Sequence, residues 1–159
     1  MVFTLVRALT YATIFVGFLG VFLPAQILES AGVNAPAVIH APQIAGIILG
    51  AAGAAFGLSC ILAFVFIGKG TQMPLDPPRH LVIRGPYKLV RNPMYVGGGL
   101  ALIGAALHFE SIELLMYGAG LSGIIHLFVV VYEERVLAEK FGPEYDAYCR
   151  QVGRWLPRL

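Results

Sequence analysis

The stretch APQIAGIILGAAGAAFGLSCILAFVFIG, residues 41–68, contains 28 residues without a single charged side chain. A helix rises about 1.5 Å per residue, and about 20 apolar residues cross a hydrocarbon core of about 30 Å. This stretch is therefore long enough to span a membrane. A second uncharged run, residues 8–28, is also long enough. Both runs predict membrane-spanning helices.

Two shorter uncharged runs follow, at residues 92–109 and 114–132. Their lengths lie near the lower limit of about 17–25 residues for a span. The chain as a whole is 58% hydrophobic and 13% charged, against about 45–50% and about 25% in soluble domains. These patterns predict an all-α, polytopic integral membrane protein with about four transmembrane helices and a helical C-terminal tail. The first run exceeds the apolar part of a signal peptide, which favours a retained helix.

The basic residues are confined to the two termini and to the connection between the second and third apolar runs. All eleven lysines and arginines precede the first run, lie between the second and third, or follow the fourth. Basic residues in short connections favour the cytoplasmic side. We therefore expect a multi-pass protein with both termini and the 69–91 loop in the cytoplasm, in the inner membrane if the source is bacterial. A net charge of +2, used up by topology and lipid headgroups, gives no reason to expect nucleic acid as a partner.

Glycines recur at near-helical spacing in the second run, at Gly46, Gly50, Gly53 and Gly57. Small residues allow helices in lipid to approach closely, which predicts a packing role for this stripe. We therefore treat residues 1–159 as a single domain. Its first part, 1–68, is predicted to be a two-span scaffold, and its second part, 69–159, a functional core.

The predicted core has a well-marked helix start and a bent tail. Asn92 is a preferred N-cap residue, and Pro93 suits the first helical position. The unpaired N–H groups of such a helix start favour a nearby anion. In the tail, Gly142-Pro143 interrupts a helix and starts another, 144–152, whose aromatic face is predicted to lie at the membrane interface or to roof a pocket.

Adjacent carboxylates, Glu133 and Glu134, end the fourth run, where the helix dipole disfavours them. They require a cation, which is either Arg135 or a loop arginine, or else a bound cation or substrate amine. His126, seven residues earlier, is either a functional residue within a span or one side of an interhelical hydrogen bond. The histidines lack metal-ligand spacing and the two cysteines lie far apart, so we expect no metal site and no disulfide.

Four segments in order resemble the isoprenylcysteine carboxyl methyltransferases and the related phospholipid N-methyltransferases. They are RHLVIRGPY at 79–87, RNPMY at 91–95, EE at 133–134 and FGPEY at 141–145. The resemblance covers about the last 90 residues. It implies an enzyme that transfers a methyl group from S-adenosylmethionine to a lipophilic or lipidated acceptor reached from membrane lipid.

The resemblance also implies site residues. Those that would bind the cofactor are Gln72, Arg79, His80, Leu81, Val82, Tyr87, Asn92, Pro93, Met94, Tyr95 and Glu133. Catalysis would fall to Glu133, Asn92 and Tyr95. The acceptor would meet Arg91, Glu134 and Val129.

Two departures from the family pattern bear on the acceptor. Asn92 replaces a histidine found in many members; an amide can only hydrogen-bond, which favours a carboxylate or a pre-ionised acceptor. Val129 replaces an arginine of the eukaryotic enzymes, so a prenylcysteine carboxylate lacks its expected cation. A phospholipid amine and a small amine or thiol are the alternative acceptors. A non-catalytic scaffold or binder is the rival of another class, and the absence of charge within the spans argues against a transporter.

Overall fold

The structure is a computed structural model that describes residues 10, 13–63, 66 and 81–158. Its helices are α1 (Thr13–Ser30), α2 (Ala41–Ala63), α3 (Pro93–Phe109), α4 (Ile112–Phe141) and α5 (Pro143–Gln151), with a 3₁₀ turn at Gly85–Lys88. The described residues contain no β-strand, and an isolated parallel bridge joins Val90 to Gly153. The predicted all-α class is confirmed.

Three helices, α1, α2 and α4, are long and apolar enough to cross a membrane. The fourth apolar helix, α3, has 17 residues, and at about 1.5 Å per residue it is roughly 25 Å long. Large apolar side chains point outward on these helices, for example Ile48 and Ile124. Such surfaces suit lipid, where a helix satisfies its own backbone groups. The structure is that of an integral membrane protein, with the third predicted span as its short helix.

Helices α2 and α3 pack with their backbones in close approach. A Cβ atom on Gly53 would lie 2.6 Å from the carbonyl oxygen of Gly97, and one on Gly46 would lie 2.6 Å from that of Gly104. The packing role predicted for the α2 stripe is confirmed at Gly46 and Gly53. Sequence reasoning missed the complementary glycines of α3, because their spacing has meaning only once the two helices are paired.

Helix α1 contains a π-turn at Phe18–Phe22, in which Leu23 N–H bonds to the Phe18 carbonyl. The next residue, Pro24, has no N–H to continue this pattern to Leu19. The hydroxyl of Tyr117, on α4, donates to the Leu19 carbonyl at 2.7 Å instead. A side chain of one span thus satisfies a backbone acceptor in another, which fixes how α1 meets α4.

Helices α3 and α4 are joined by a two-residue connection. Glu110 has a left-handed backbone (φ 50°), and the Ser111 side chain accepts from Leu114 N–H as the N-cap of α4. So short a connection makes α3 and α4 antiparallel neighbours. The start of α3 and the end of α4 consequently lie at the same end of the bundle.

A second π-turn, Val129–Glu133, interrupts α4, and Glu134 N–H bonds to the Val129 carbonyl. A π-turn inserts an extra residue and so changes the direction of the side chains that follow it. The prediction assumed a regular helix, in which Val129 and His126 share roughly one face with Glu133. In the structure Val129 is fully buried, and His126 is exposed.

The tail folds back onto the loop that precedes α3. Arg91 N–H donates to the Gly153 carbonyl at 2.8 Å, and the Tyr148 hydroxyl donates to the Tyr87 carbonyl at 2.7 Å. Gly142, with φ 50° and ψ −126°, makes the turn into α5 in a backbone region reserved almost entirely for glycine. Of the two predicted placements for the tail, this contact favours the one in which it roofs a pocket.

Candidate active site

A cavity lies where the loop, the start of α3, the end of α4 and α5 converge. It is partly open to solvent. The residues that line it are Leu81, Val82, Tyr87, Arg91, Asn92, Met94, Tyr95, Glu133, Glu134, Leu137, Tyr145 and Tyr148.

Most of the predicted site residues that the structure describes meet at this cavity. From the predicted cofactor set these are Leu81, Val82, Tyr87, Asn92, Met94, Tyr95 and Glu133, and from the predicted acceptor set they are Arg91 and Glu134. Gln72, Arg79 and His80 lie outside the described residues. Residues far apart in the chain thus come together as the resemblance implies.

Two predicted residues do not line the cavity. Pro93 and Val129 are both fully buried inside the bundle. Conversely, Leu137, Tyr145 and Tyr148 line it without having been predicted as site residues. The signal for the tyrosines was present, since Tyr145 belongs to the FGPEY segment and shares a helix face with Tyr148. Leu137 had no such signal, because its place depends on the π-turn before it.

Glu134 is paired with two arginines. Both of its oxygens accept from Arg154, through Nε and Nη2 at 2.8 Å, and Arg91 Nη1 lies 3.1 Å from Oε1. Two-pronged arginine contacts of this kind are geometrically specific. The cations beside Glu134 are therefore a loop arginine, as one reading expected, and a tail arginine, rather than the adjacent Arg135. These hydrogen bonds also raise the pKa of Arg154 above its ordinary value.

Glu133 has different surroundings. Its Oε2 accepts from the Tyr95 hydroxyl at 3.0 Å. Within the part of the chain that the structure describes, no lysine or arginine lies at ion-pair distance from this carboxylate. A carboxylate removed from water is normally paired. Glu133 therefore offers the cavity a negative charge that a small cation can neutralise.

Arg91 offers the opposite charge. Its Nη1 contacts Glu134 and also donates to Cys149 Sγ at 2.6 Å. Its Nε is buried and has no hydrogen-bond partner among the described residues. A buried donor without a partner is uncommon and requires an explanation. Arg91 also lines the cavity, so its guanidinium places positive charge beside that space.

Asn92 occupies the N-cap position of α3 with Pro93 after it, as predicted, but its side chain makes no capping bond. The Nδ2 group donates to the Arg154 carbonyl at 3.3 Å instead, and the residue is 7% exposed. Asn92 therefore occupies the predicted N-cap position, but the side-chain hydrogen bond expected of a cap is absent. The side chain holds the tail against the loop, because the tail supplies an acceptor that sequence distance conceals.

The aromatic lining is uncharged. Burial raises the pKa values of Tyr87, Tyr145 and Tyr148 above the ordinary value for tyrosine. All three rings therefore stay neutral at physiological pH and present flat surfaces beside the acidic and basic groups. Such surfaces suit an aromatic heterocycle or a cation over a ring face.

His126 and the two cysteines are not among the residues that line the cavity. His126 Nδ1 accepts from Trp155 Nε1–H at 3.0 Å. The expected hydrogen bond is present, but Trp155 lies in the tail after α5, so the bond is not an interhelical one. Cys60 and Cys149 are free thiols on α2 and α5. In the described ranges no three histidine, cysteine, aspartate or glutamate side chains converge on a common point. That the whole chain lacks a metal site stays a prediction.

Fold and cavity together define an all-α membrane protein with an acidic and aromatic site at one end of its helices. Comparison with known proteins supplies the family. The sequence pattern of the phospholipid methyltransferases matches residues 41–144. The chain belongs to this family of membrane methyltransferases, as the resemblance predicted. The match begins at α2, so it includes a span that the sequence motifs left uncharacterised.

Two curated relatives are similar over half of the chain. The nickel-cobalt-cadmium resistance protein NccN of Alcaligenes xylosoxydans xylosoxydans is 34% identical over 79 residues, and the cobalt-zinc-cadmium resistance protein CzcN of Cupriavidus metallidurans is 35% identical over 79 residues. Each alignment covers 50% of this chain and only 37% or 36% of the relative. The matched region is therefore little more than a third of either relative.

Proposed function

We propose that this protein transfers a methyl group from S-adenosylmethionine to a lipophilic acceptor that reaches the cavity from the bilayer. One observation carries the proposal. Glu133 faces the cavity with a hydroxyl as its described partner, whereas its neighbour Glu134 is already neutralised by two arginines. A site built in this way attracts a cation, and both the sulfonium and the amino group of the cofactor are cations.

The residues present fit the cofactor. The guanidinium of Arg91 would face its carboxylate, and Glu133 would face its positive charge. Tyr87 and Tyr145 would enclose its adenosine together with the apolar side chains of Leu81, Val82 and Met94. When bound, the cofactor supplies an activated methyl group. The chain's own part is to position the acceptor and to exclude water, which accounts for large rate effects without a covalent step.

An amine is the acceptor that Glu133 favours. An ammonium group must lose a proton before its nitrogen can take a methyl group, and Glu133 is the carboxylate able to accept that proton. Asn92 no longer argues for a carboxylate, because its side chain is engaged with the tail. The family match points to the same acceptor class. We therefore place a phospholipid amine first.

A prenylcysteine carboxylate is the second candidate, favoured by the sequence segments described above. A carboxylate needs no general base, and its charge and that of the sulfonium would cancel in a dry site. Val129 weighs against it, since this residue is buried and offers no charge. The two candidates are separated by supplying each acceptor to the same preparation.

The proposed site lies on the cytoplasmic side. Arg91 and Arg154 meet at the loop-and-tail end of the bundle, and basic residues near span ends favour the cytoplasm. Cofactor and proton exchange would then take place in the compartment that contains S-adenosylmethionine. Both termini would face that compartment.

Calorimetry on the purified protein in lipid nanodiscs tests the cofactor. We expect micromolar binding of S-adenosylmethionine and S-adenosylhomocysteine, weakened at least tenfold in Glu133→Gln. Glu139→Gln, on an exposed position of α4, is the matched control and should bind as the wild type does. Absence of binding in the wild type would favour a non-catalytic scaffold.

Methyl transfer tests the acceptor. Methyl-labelled S-adenosylmethionine is supplied with phosphatidylethanolamine in one series and with S-farnesylcysteine in the other. Label in phosphatidylethanolamine supports the amine, and label in S-farnesylcysteine supports the carboxylate. Transfer to neither acceptor would overturn the proposed reaction.

A further inference from the structure

His126 is a polar side chain on a surface that otherwise suits lipid. It is exposed on α4, and the neighbouring Ile124 and Leu127 are 66% and 63% exposed. Ionisable residues in such surroundings are unfavourable and usually have a function. The cavity described above does not include this residue. Its role is therefore not explained by the cofactor site.

Trp155 fixes the hydrogen on the His126 ring. Because the indole Nε1–H donates to His126 Nδ1 at 3.0 Å, that nitrogen carries a lone pair and the neutral ring has its hydrogen on Nε2. In the described part of the chain Nε2 has no hydrogen-bond partner. His126 thus presents one oriented N–H donor to the lipid side.

The same indole connects His126 to the candidate active site. Its ring centroid lies 6.0 Å from that of His126 and 6.4 Å from that of Tyr95, whose hydroxyl donates to Glu133. Along α4, His126 precedes Glu133 by seven residues, which is roughly 10 Å at about 1.5 Å per residue. Because the π-turn separates the faces of His126 and Glu133, the route between them runs over Trp155, whose ring lies beside both His126 and Tyr95. A lipid that lies along Trp155 with its reacting atom at Glu133 would therefore reach His126 with a deeper part of its structure.

We propose that His126 is a specificity-determining residue that donates a hydrogen bond from Nε2 to a phosphate or ester oxygen of a phospholipid acceptor. The inference rests on the proposed methyl transfer and deepens it. In a glycerophospholipid, the phosphate and glycerol separate the amine from the ester oxygens, which agrees with the spacing of Glu133 and His126. A prenylcysteine has an apolar chain at that depth and offers the N–H no acceptor. Trp155 is a positioning residue, because it acts through His126.

Two substitutions separate this role from a purely structural one. His126→Asn retains an acceptor for the Trp155 indole close to the Nδ1 position, but its N–H donor lies near the Cδ2 position, one bond short of Nε2. Trp155→Phe removes the indole donor but retains the imidazole. If the contact only holds the tail to α4, His126→Asn should resemble the wild type, and Trp155→Phe should weaken cofactor binding.

The test measures the KM for phosphatidylethanolamine in mixed micelles, with methyl-labelled S-adenosylmethionine, together with the cofactor Kd by calorimetry. We expect His126→Asn to raise the KM about tenfold while the cofactor Kd changes less than twofold, and Trp155→Phe to raise the KM by a smaller factor. His40→Asn, the same substitution at an exposed position of the α1–α2 loop, should leave both values unchanged.

Every outcome decides the proposal. An unchanged KM in His126→Asn, or a KM and a Kd that rise together, would overturn the role of His126 while leaving the methyltransferase intact. Methylation of S-farnesylcysteine alone by the wild type would overturn it as well. A wild type that binds no cofactor and methylates neither acceptor would remove the proposed function on which the inference depends.

Discussion

Glu133 and Glu134 are adjacent in the chain but differ in electrostatic surroundings. Glu134 accepts from Arg154 and lies 3.1 Å from Arg91, whereas Glu133 accepts from the Tyr95 hydroxyl. Sequence reasoning identified the pair and its need for a cation. It could not divide the roles, because Arg154 lies 20 residues further along the chain and approaches only after the tail has folded back.

Tyr95→Phe tests the Glu133 environment at the residue scale. The substitution removes one hydroxyl and leaves the ring, so packing against Trp155 is retained. Hydrogen bonds to charged groups contribute about 1.5–3 kcal/mol, and we expect cofactor affinity to fall roughly tenfold. Calorimetry measures the change. Tyr132→Phe, at an exposed position of α4, is the control; equal effects in both variants would contradict the contact with Glu133.

At the scale of elements, the helices are ordinary in composition but irregular at two positions. The π-turn in α1 is accommodated by Pro24 and Tyr117, and the π-turn in α4 redirects Glu133 away from the face that a regular helix would give it. Hydropathy predicts where helices lie. Hydropathy does not reveal the extra residue of a π-turn, because apolar side chains before and after the turn suit lipid equally well.

Gly97→Ala tests the close approach of α2 and α3. A Cβ atom there would lie 2.8 Å from the Gly53 carbonyl oxygen, so the backbones must separate. Overpacking of this kind destabilises by about 1–3 kcal/mol. Gly98→Ala is the matched control, since its added Cβ would meet nothing within 4 Å. Denaturation in detergent should show a loss of stability in the first variant alone.

Tyr117→Phe tests the contact between α1 and α4. It removes the donor to the Leu19 carbonyl, and hydrogen bonds between spans contribute about 0.6 kcal/mol on average and up to about 1.7. Pro24→Ala would restore an N–H that can bond to Leu19 in the π-turn. We therefore expect Tyr117→Phe to destabilise less in the Pro24→Ala background. Equal losses in both backgrounds would contradict this account of the turn.

At the scale of the whole molecule, the site is assembled from three distant segments. The loop before α3, the end of α4 and the tail meet through Arg91, Glu134 and Arg154. The helices provide a rigid frame, and the tail closes one side of the cavity with Tyr145 and Tyr148. Docking of the tail and binding of the cofactor should therefore be linked.

Arg154→Ala tests this linkage. Its pairing with Glu134 is partly exposed, so solvent screening limits the loss to about 1 kcal/mol. We expect a fivefold drop in cofactor affinity and faster proteolysis in the tail, with helical content unchanged by circular dichroism. Arg158→Ala, an exposed arginine of the same segment that bonds to the Arg150 carbonyl, is the control. Wild-type affinity in Arg154→Ala would show that the pairing of Arg154 with Glu134 does not support cofactor binding.

The sequence by itself determined the membrane class, the positions of the apolar helices and most of the residues around the cavity. Long uncharged runs have few stable alternatives to helices in lipid, since backbone groups there must bond within the segment. The resemblance to the methyltransferases also implied Tyr95, Glu133 and Arg91 as site residues. The membrane class and the helix positions depend on local composition, whereas the site residues rest on that resemblance.

Only the tertiary structure decided which residues meet. It paired Gly53 with Gly97, turned Asn92 from a helix cap into a tail contact, buried Val129 and brought Tyr148 and Leu137 to the cavity. Each of these arrangements depends on the direction in which side chains point after a π-turn, or on a contact between distant segments. The free energies of such contacts arise from packing and from hydrogen bonds across the fold, and local sequence does not encode them separately.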